Sequence, residues 1–292
     1  MLPSVPELAA FPKGFFMDLV EGRMSLLQWI ELAGGLDLDG VELYPRFFAS
    51  LDAAYLERVR QALADHGLRM PMLCNSPDFT QPDPEARARE VRTTRRMIEL
   101  TAELGGRYCR VLSGQNRPGL DPERAFSWVV DSLRALLPHA EAAGVVLVME
   151  NHYKDGLWLH PEFAQSHERY LAILDAVGPA LRVQYDPSNA IVAGEDAYAL
   201  LDRVLPRVAT VQASDRTFEG GVLRHGVIGR GLNDYDRIFG TLARAGWDGW
   251  VSIEDGDGAT VEEGLANLRE SAAFLRGKLA RHFGAAPPAG PA

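Results

Sequence analysis

Residues 144–153 read Gly-Val-Val-Leu-Val-Met-Glu-Asn-His-Tyr, an apolar run that ends in a carboxylate, an amide and an imidazole. A Val/Leu-rich run without polar alternation is typical of a strand buried on both faces. A buried carboxylate is costly unless a metal ion or hydrogen bonds stabilise it. Two later runs end in an acid in the same way, at 181–186 (Leu-Arg-Val-Gln-Tyr-Asp) and 250–254 (Trp-Val-Ser-Ile-Glu). Three such endings predict strands that converge on one polar site.

Candidate strands and helices alternate eight times along the 292 residues, and no stretch between them has the composition of a domain linker. Eight βα units in a chain of this length favour a single (β/α)8 TIM barrel of the α/β class over an open doubly wound sheet. A flavodoxin-like or Rossmann-type sheet is the alternative, but no Gly-rich phosphate fingerprint follows the first candidate strand. We predict one barrel, 1–283, and a flexible C-terminal tail, 284–292.

Local signals place several element boundaries. Ser25 is the expected N-cap of the first helix, and Asp121 followed by proline is expected to open a later one. The first strand is predicted within 11–18, centred on Gly-Phe-Phe-Met-Asp. A helix is predicted over 160–177, and a long loop over 213–233.

Composition narrows the classes of partner. The formal net charge is −10 and no Lys/Arg-rich tract is present, so binding to a nucleic-acid backbone has little support. Two cysteines, Cys74 and Cys109, do not make a disulfide framework, which favours a reducing cytoplasm. No signal-peptide pattern is visible, and no apolar run approaches the roughly 20 residues that span a bilayer. The predicted location is cytoplasmic, without membrane or nucleic-acid partners.

In TIM barrels the active site is built at the C-terminal ends of the strands. That rule selects Glu42, Asn75, Ser113, Glu150, Asp186, Gln212 and Glu254. The carboxylates of Glu150, Asp186 and Glu254, with the amide oxygen of Gln212, would supply four ligands to one divalent metal ion. Oxygen ligands favour Mg or Mn, while Zn or Co remain compatible. Without a cation the three carboxylates would repel and raise one another's pKa. For any one acid, a helix N-cap or an arginine partner is the alternative role.

Four segments carry a family resemblance: Val-Met-Glu150-Asn, Tyr-Asp186-Pro-Ser-Asn189, Gln212-Ala-Ser-Asp215 and Ile-Glu254-Asp. They resemble the sugar phosphate isomerase/epimerase family of the xylose isomerase-like TIM-barrel superfamily. The resemblance runs from Gly14 to about Leu275 and includes the segment 224–239. It implies that Glu150, Asp186, Gln212 and Glu254 occupy the positions of the family's four metal ligands. It also implies that the two glutamates are an acid/base pair acting on a substrate carbon through an enediolate.

Two positions depart from the family's pattern. The family usually has His where this chain has Gln212, and often has His where it has Asn189. An amide binds a divalent cation more weakly than an imidazole and cannot shuttle a proton, which favours Mg or Mn. The extra His and acidic ligands of endonuclease IV, a member that acts on DNA, are absent from the sequence.

The leading hypothesis is a metal-dependent isomerase or epimerase that acts on a small sugar, ketose or related polyhydroxy carbonyl compound. A lyase of the inosose- or shikimate-dehydratase type shares the enolate chemistry and is the alternative. A barrel that binds a sugar without turnover is the non-enzymatic alternative. A homo-oligomer is compatible with the sequence. Expected substrate contacts are His152, Asn189, Asp215, Arg216, Glu42 and Arg224.

Overall fold

The apolar runs of the sequence form eight parallel strands in the computed structural model, which describes residues 5–284. In chain order these strands are β1 (Leu8–Pro12), β2 (Gly40–Val41), β3 (Met72–Cys74), β4 (Tyr108–Val111), β5 (Val146–Glu150), β6 (Arg182–Tyr185), β7 (Val208–Ala213) and, after a two-stranded hairpin, β10 (Trp250–Asp255). They are hydrogen-bonded in the order β2-β1-β10-β7-β6-β5-β4-β3. Parallel bridges from Gly40 to Arg69 and from Leu43 to Leu73 join β2 to the β3 side. The predicted TIM barrel is therefore confirmed.

Ten α-helices are found in residues 5–284, and most of them connect successive strands around the barrel. They are α1 (Phe16–Val20), α2 (Leu26–Gly34), α3 (Ala53–Asp65), α4 (Pro84–Glu103), α5 (Pro122–Ala142), α6 (His167–Val177), α7 (Pro187–Val192), α8 (Ala197–Val204), α9 (Tyr235–Arg244) and α10 (Val261–Phe283). Short 3-10 helices occupy Lys13–Phe15, Pro45–Phe47 and Leu205–Arg207. Within the described part of the chain, no helix combines the length and apolarity needed to cross a bilayer.

Local sequence explains where the helices begin. The Ser25 hydroxyl accepts a hydrogen bond from the backbone N–H of Gln28, and the Gln28 side-chain oxygen accepts one from the backbone N–H of Ser25. The two bonds make a capping box for α2. Asp121 caps α5 as predicted, with proline in its first turn. On the inner side of α2, Trp29 is fully buried and packs against Phe15 with 5.6 Å between ring centroids. These contacts fix the helical layer around the strands.

Three local predictions need correction. The first strand is Leu8–Pro12, because its small and apolar side chains are all buried, whereas 13–20 form a 3-10 turn and α1. Helix α6 begins at His167, where Ser166 caps it, so 160–166 belong to a loop. The predicted loop over 213–233 contains an antiparallel hairpin, β8 (Asp215–Glu219) and β9 (Val222–Gly226). The predicted tail, 284–292, lies outside the described residues apart from Gly284.

Candidate active site at the C-terminal ends of the strands

The structure brings three of the predicted ligands together. Glu150 ends β5, Asp186 directly follows β6 and Glu254 lies near the end of β10. One carboxylate oxygen from each lies within 4.8 Å of the other two, and all three side chains are buried. Oxygen ligands about 2.1–2.5 Å from one divalent cation can be at most about 4.2–5 Å apart. The spacing and the donor chemistry therefore fit a divalent cation.

Asp186 is held by the start of α7. Its Oδ1 accepts hydrogen bonds from Ser188 N (2.7 Å) and Asn189 N (3.0 Å), as an N-cap does. The Ser214 hydroxyl lies 3.0 and 3.1 Å from the two carboxylate oxygens. Asn151 fixes the backbone at Asp186, because its amide group both donates to Asp186 O and accepts from Asp186 N. Oδ2 has no backbone partner among these contacts, so it is the oxygen best placed to bind a cation.

Each glutamate is paired with a cationic side chain that lies on the neighbouring strand or directly after it. Arg110 Nη1 of β4 donates to Glu150 Oε2 at 2.7 Å, in a pair that is almost fully buried. Lys13 Nζ, just after β1, donates to Glu254 Oε1 at 2.8 Å. The Asn189 amide also donates to Glu150 Oε1 at 3.2 Å. These contacts fix both carboxylates and partly neutralise them.

The pKa values of the three carboxyl groups differ for physical reasons. Burial, with the charges of Glu254 and Glu150, raises the pKa of Asp186 to about 8. Burial also raises the pKa of Glu150, although Arg110 opposes the rise. Burial disfavours ionisation of Glu254 too, but the charge and hydrogen bond of Lys13, together with His225 and His152, outweigh it and lower the pKa to about 2. A divalent cation among the three would favour the ionised form of each.

Gln212, the fourth predicted ligand, is buried on β7. Its Oε1 accepts a hydrogen bond from Gln184 Nε2 at 2.6 Å. A carbonyl oxygen has two lone pairs, so one remains for another partner. A ligand role for Gln212 stays a prediction.

Two adjoining cavities, with volumes of about 320 and 260 Å³, open beside Glu254, which is the member of the carboxylate cluster that lines them. Lys13, His152 and Glu254 line both of them. Asn189, Arg216 and His225 line the smaller cavity, where Arg216 and His225 face each other across the hairpin β8–β9. A larger cavity of about 590 Å³ lies at the opposite end of the barrel, lined by residues at the starts of the strands. In TIM barrels the chemistry belongs to the C-terminal end.

Of the predicted substrate contacts, His152, Asn189 and Arg216 therefore line a cavity. Asp215 does not, because its carboxylate is fully buried and accepts hydrogen bonds from four backbone N–H groups, at 216, 229, 231 and 233. A Cβ on Gly231 would lie 2.2 Å from Asp215 Oδ1, so only glycine fits there.

Arg224 is exposed and pairs with Glu219. Glu42 is fully buried, 3.4 Å from Cys74 Sγ, and lines neither cavity.

Lys13, Arg110 and Glu162 contact the site residues but were not selected from the sequence. An arginine inside the buried strand Tyr-Cys-Arg-Val is itself a signal, since buried arginines are nearly always paired. Lys13 directly follows β1, so the strand-end rule selects it when it is applied to the observed strand. Glu162 lies in the loop between β5 and α6, where sequence spacing carries no information about its partners.

The burial of Glu42 can be tested through the pH dependence of the protein's stability. Burial raises the pKa of Glu42 from 4.5 to about 8, so the folded state keeps a proton that the unfolded state loses. The stability due to this proton is present below pH 4.5 and is lost as the pH rises through about 8, by up to about 5 kcal/mol. We expect the free energy of unfolding to fall less between pH 5 and pH 8 in Glu42→Gln than in the wild type. Denaturant unfolding at both pH values measures it, and parallel losses would contradict the assignment.

Comparison with known proteins decides the family. The family model described as xylose isomerase-like TIM barrel matches residues 30–278. The chain belongs to this family. Curated relatives include a ketose 3-epimerase of Arthrobacter globiformis (24% identical, 73% of this chain, 72% of the relative) and an L-ribulose-5-phosphate 3-epimerase of Shigella flexneri (24%, 92% and 95%). An inosose dehydratase of Bacillus cereus is 25% identical over 56% of each chain.

Solved structures of other proteins share the barrel. D-psicose 3-epimerase from Clostridium cellulolyticum, solved with D-tagatose, aligns with a TM-score of 0.76 at 14% identity, covering 94% of this chain and 99% of that chain. The IOLI protein, solved with a zinc atom, aligns with a TM-score of 0.75 at 17% identity, covering 96% and 100%. At these identities the likeness shows the fold alone. Epimerases, isomerases and dehydratases are all found among the proteins that this chain resembles.

Proposed function

We propose that the protein is a divalent-metal-dependent isomerase or epimerase of a small sugar, ketose or related polyhydroxy carbonyl compound. The observation that carries this proposal is the convergence of Glu150, Asp186 and Glu254 within 4.8 Å at the C-terminal end of the barrel. The adjoining cavities, near 300 Å³, are at the small end of the range for small-molecule sites. The sugar epimerases among the relatives support the substrate class.

In this proposal Glu150 and Glu254 work as an acid/base pair. Their strands are separated by β6 and β7, so the two side chains approach the site from different sides of the barrel mouth. One glutamate would remove a proton from the substrate carbon, and the other would return a proton. A bound divalent cation would polarise the substrate carbonyl and stabilise the enediolate. Mg or Mn suits the carboxylates, and the zinc bound in the IOLI structure keeps Zn a candidate.

A dehydratase is the second candidate, because an inosose dehydratase is among the relatives. It would begin with the same proton removal and then expel a hydroxyl group as water. A barrel that binds sugar without turnover is the third outcome, supported by Gln212 and Asn189 at positions where the family usually or often has His.

Exchange of substrate hydrogen with solvent tests the proposal. Small ketoses, their phosphates, inososes and hydroxypyruvate would be incubated in D₂O with the metal-loaded protein and followed by NMR. We expect deuterium at one carbon next to the carbonyl of the true substrate, with a new isomer or epimer. Loss of water would identify a dehydratase. Binding of a sugar without exchange or elimination would contradict the enzymatic proposal.

Replacing Lys13 is predicted to strengthen metal binding rather than weaken it. Its ammonium already donates to Glu254 Oε1, so a cation at the carboxylates must compete with it. Lys13→Met would leave the charge of Glu254 without this partner. We expect the affinity for Mn²⁺ to rise by about tenfold or more, equivalent to roughly 1.4 kcal/mol. Isothermal titration of the metal-free protein with Mn²⁺ measures the change.

Lys154→Met is the matched control. Lys154 lines the same cavities, but within residues 5–284 it has no ion pair with these carboxylates. Its removal should change the affinity much less. An equal rise in both variants would indicate a general charge effect, and a weaker affinity in Lys13→Met would refute competition.

A further inference from the structure

A second buried carboxylate lies beside the candidate active site. Glu162 belongs to the loop between β5 and α6 and is 1% exposed. Its Oε1 accepts hydrogen bonds from Ser113 N at 2.7 Å and from the Ser113 hydroxyl at 2.6 Å. Glu162 N donates to Tyr153 O, and Phe163 N donates to Gly114 O. Both the backbone and one carboxylate oxygen of Glu162 are therefore fixed.

The other oxygen of Glu162 faces His152. Oε2 lies 3.8 Å from His152 Nδ1. Neither atom has a hydrogen-bond partner among the described residues, and both are shielded from solvent. A buried polar atom without a partner is destabilising, so these two atoms are the natural partners of each other. A ring shift of less than about 1 Å would bring them to hydrogen-bond distance, and such bonds are often long in the absence of substrate.

The pairing decides which ring nitrogen of His152 carries the proton. An ionised carboxylate only accepts hydrogen bonds, so Nδ1 must donate, and in the neutral ring Nε2 is then an acceptor. The imidazole lines both cavities together with Glu254. An acceptor there suits the hydroxyl group of a polyol.

We propose that Glu162 is a positioning residue that holds His152 as the Nδ1–H tautomer, so that Nε2 accepts a hydrogen bond from a substrate hydroxyl. The substrate part of this inference rests on the proposed function. The tautomer part does not, and it can be measured on the protein without substrate.

The test is long-range ¹H–¹⁵N NMR of protein labelled at histidine, recorded at rising pH until the His152 signals no longer shift. The series is needed because, although burial opposes ionisation, the charges of Glu150 and Glu162 raise the pKa of His152 above its usual value. The His152 signals are assigned by their loss in His152→Gln. We expect an Nδ1–H tautomer in the wild type, a result that needs no folded variant. In Glu162→Gln the amide oxygen would keep the bonds from Ser113 and its NH₂ would face Nδ1, so the tautomer should switch to Nε2–H. An Nε2–H wild type, or an unchanged tautomer in Glu162→Gln, would overturn the proposal.

The chain offers a matched control in another His–Glu pair. Glu195 Oε2 lies 3.3 Å from His167 Nε2, and neither residue lines the two cavities. Glu195→Gln should leave the His152 signals unchanged. Once a substrate is known, Glu162→Gln should raise KM about 10- to 100-fold with a smaller change in kcat, and Glu195→Gln should change neither. If no substrate turns over, the proposed function fails, while the tautomer still decides the role of Glu162.

Discussion

Asp186→Asn is expected to weaken strongly the binding of a divalent cation by the purified protein. The substitution removes one of three converging carboxylates and replaces a strong ligand, anionic in the metal complex, by a weak neutral one. Asn caps helices about as well as Asp, so α7 should keep its start and the fold should be retained. We expect the affinity for Mn²⁺ to fall at least about 100-fold, equivalent to roughly 2.7 kcal/mol. Elemental analysis and isothermal titration measure it.

A matched control exists one helix further along the chain. Asp196 caps α8 through the same kind of backbone hydrogen bonds and lies outside the cluster. Asp196→Asn should therefore bind metal as the wild type does. Equal metal contents in the wild type and in Asp186→Asn would contradict the proposed site.

Glu254→Gln should abolish exchange with solvent of the substrate hydrogen that Glu254 removes, and with it the formation of the new isomer. The amide cannot accept the proton, and proton transfer by a positioned group contributes about 10²–10⁴-fold to a rate. We expect exchange in D₂O to fall at least about 1,000-fold for the substrate found in the exchange screen. Because Glu150 could still exchange the hydrogen that it removes, wild-type rates of both exchange and isomer formation would exclude Glu254 as acid or base.

Because Glu254 is also a proposed ligand, its two roles need separation. The exchange rate of Glu254→Gln is measured with enough Mn²⁺ to saturate the variant, as judged by titration. Glu263→Gln provides a control glutamate, since Glu263 is exposed in the first turn of α10. A variant that is saturated with metal and inactive supports a direct proton-transfer role. Recovery of activity on saturation would limit Glu254 to holding the metal.

The barrel and its three acids could be predicted because their signals are local. An apolar strand that ends in an acid is read from a few adjacent residues, and the barrel rule then places such ends together. The loop after β7 was not predictable in the same way. Its hairpin depends on pairing between β8 and β9, and Asp215 organises it by accepting bonds from residues up to 18 positions away. The family motif around Asp215 therefore indicated importance without indicating a structural role.

The ion pairs of the site could not be predicted from the sequence either, because their partners are far apart along the chain. Glu254 is 241 residues from Lys13, and Glu150 is 40 residues from Arg110. Nothing in the spacing of these residues selects the partner. The bond from Gln184 to Gln212 is also set by the packing of two adjacent strands, and it qualifies the simple prediction that the Gln212 oxygen is free for a metal.

Anomalous diffraction from crystals soaked in Mn²⁺ tests the central claim most directly. We expect one strong peak at the C-terminal end of the barrel, within about 2.5 Å of an oxygen from each of Glu150, Asp186 and Glu254. The Lys13 ammonium should then have moved away from Glu254. A protein that binds its sugar substrate while this position shows no peak, with both glutamates still paired to Lys13 and Arg110, would contradict the account.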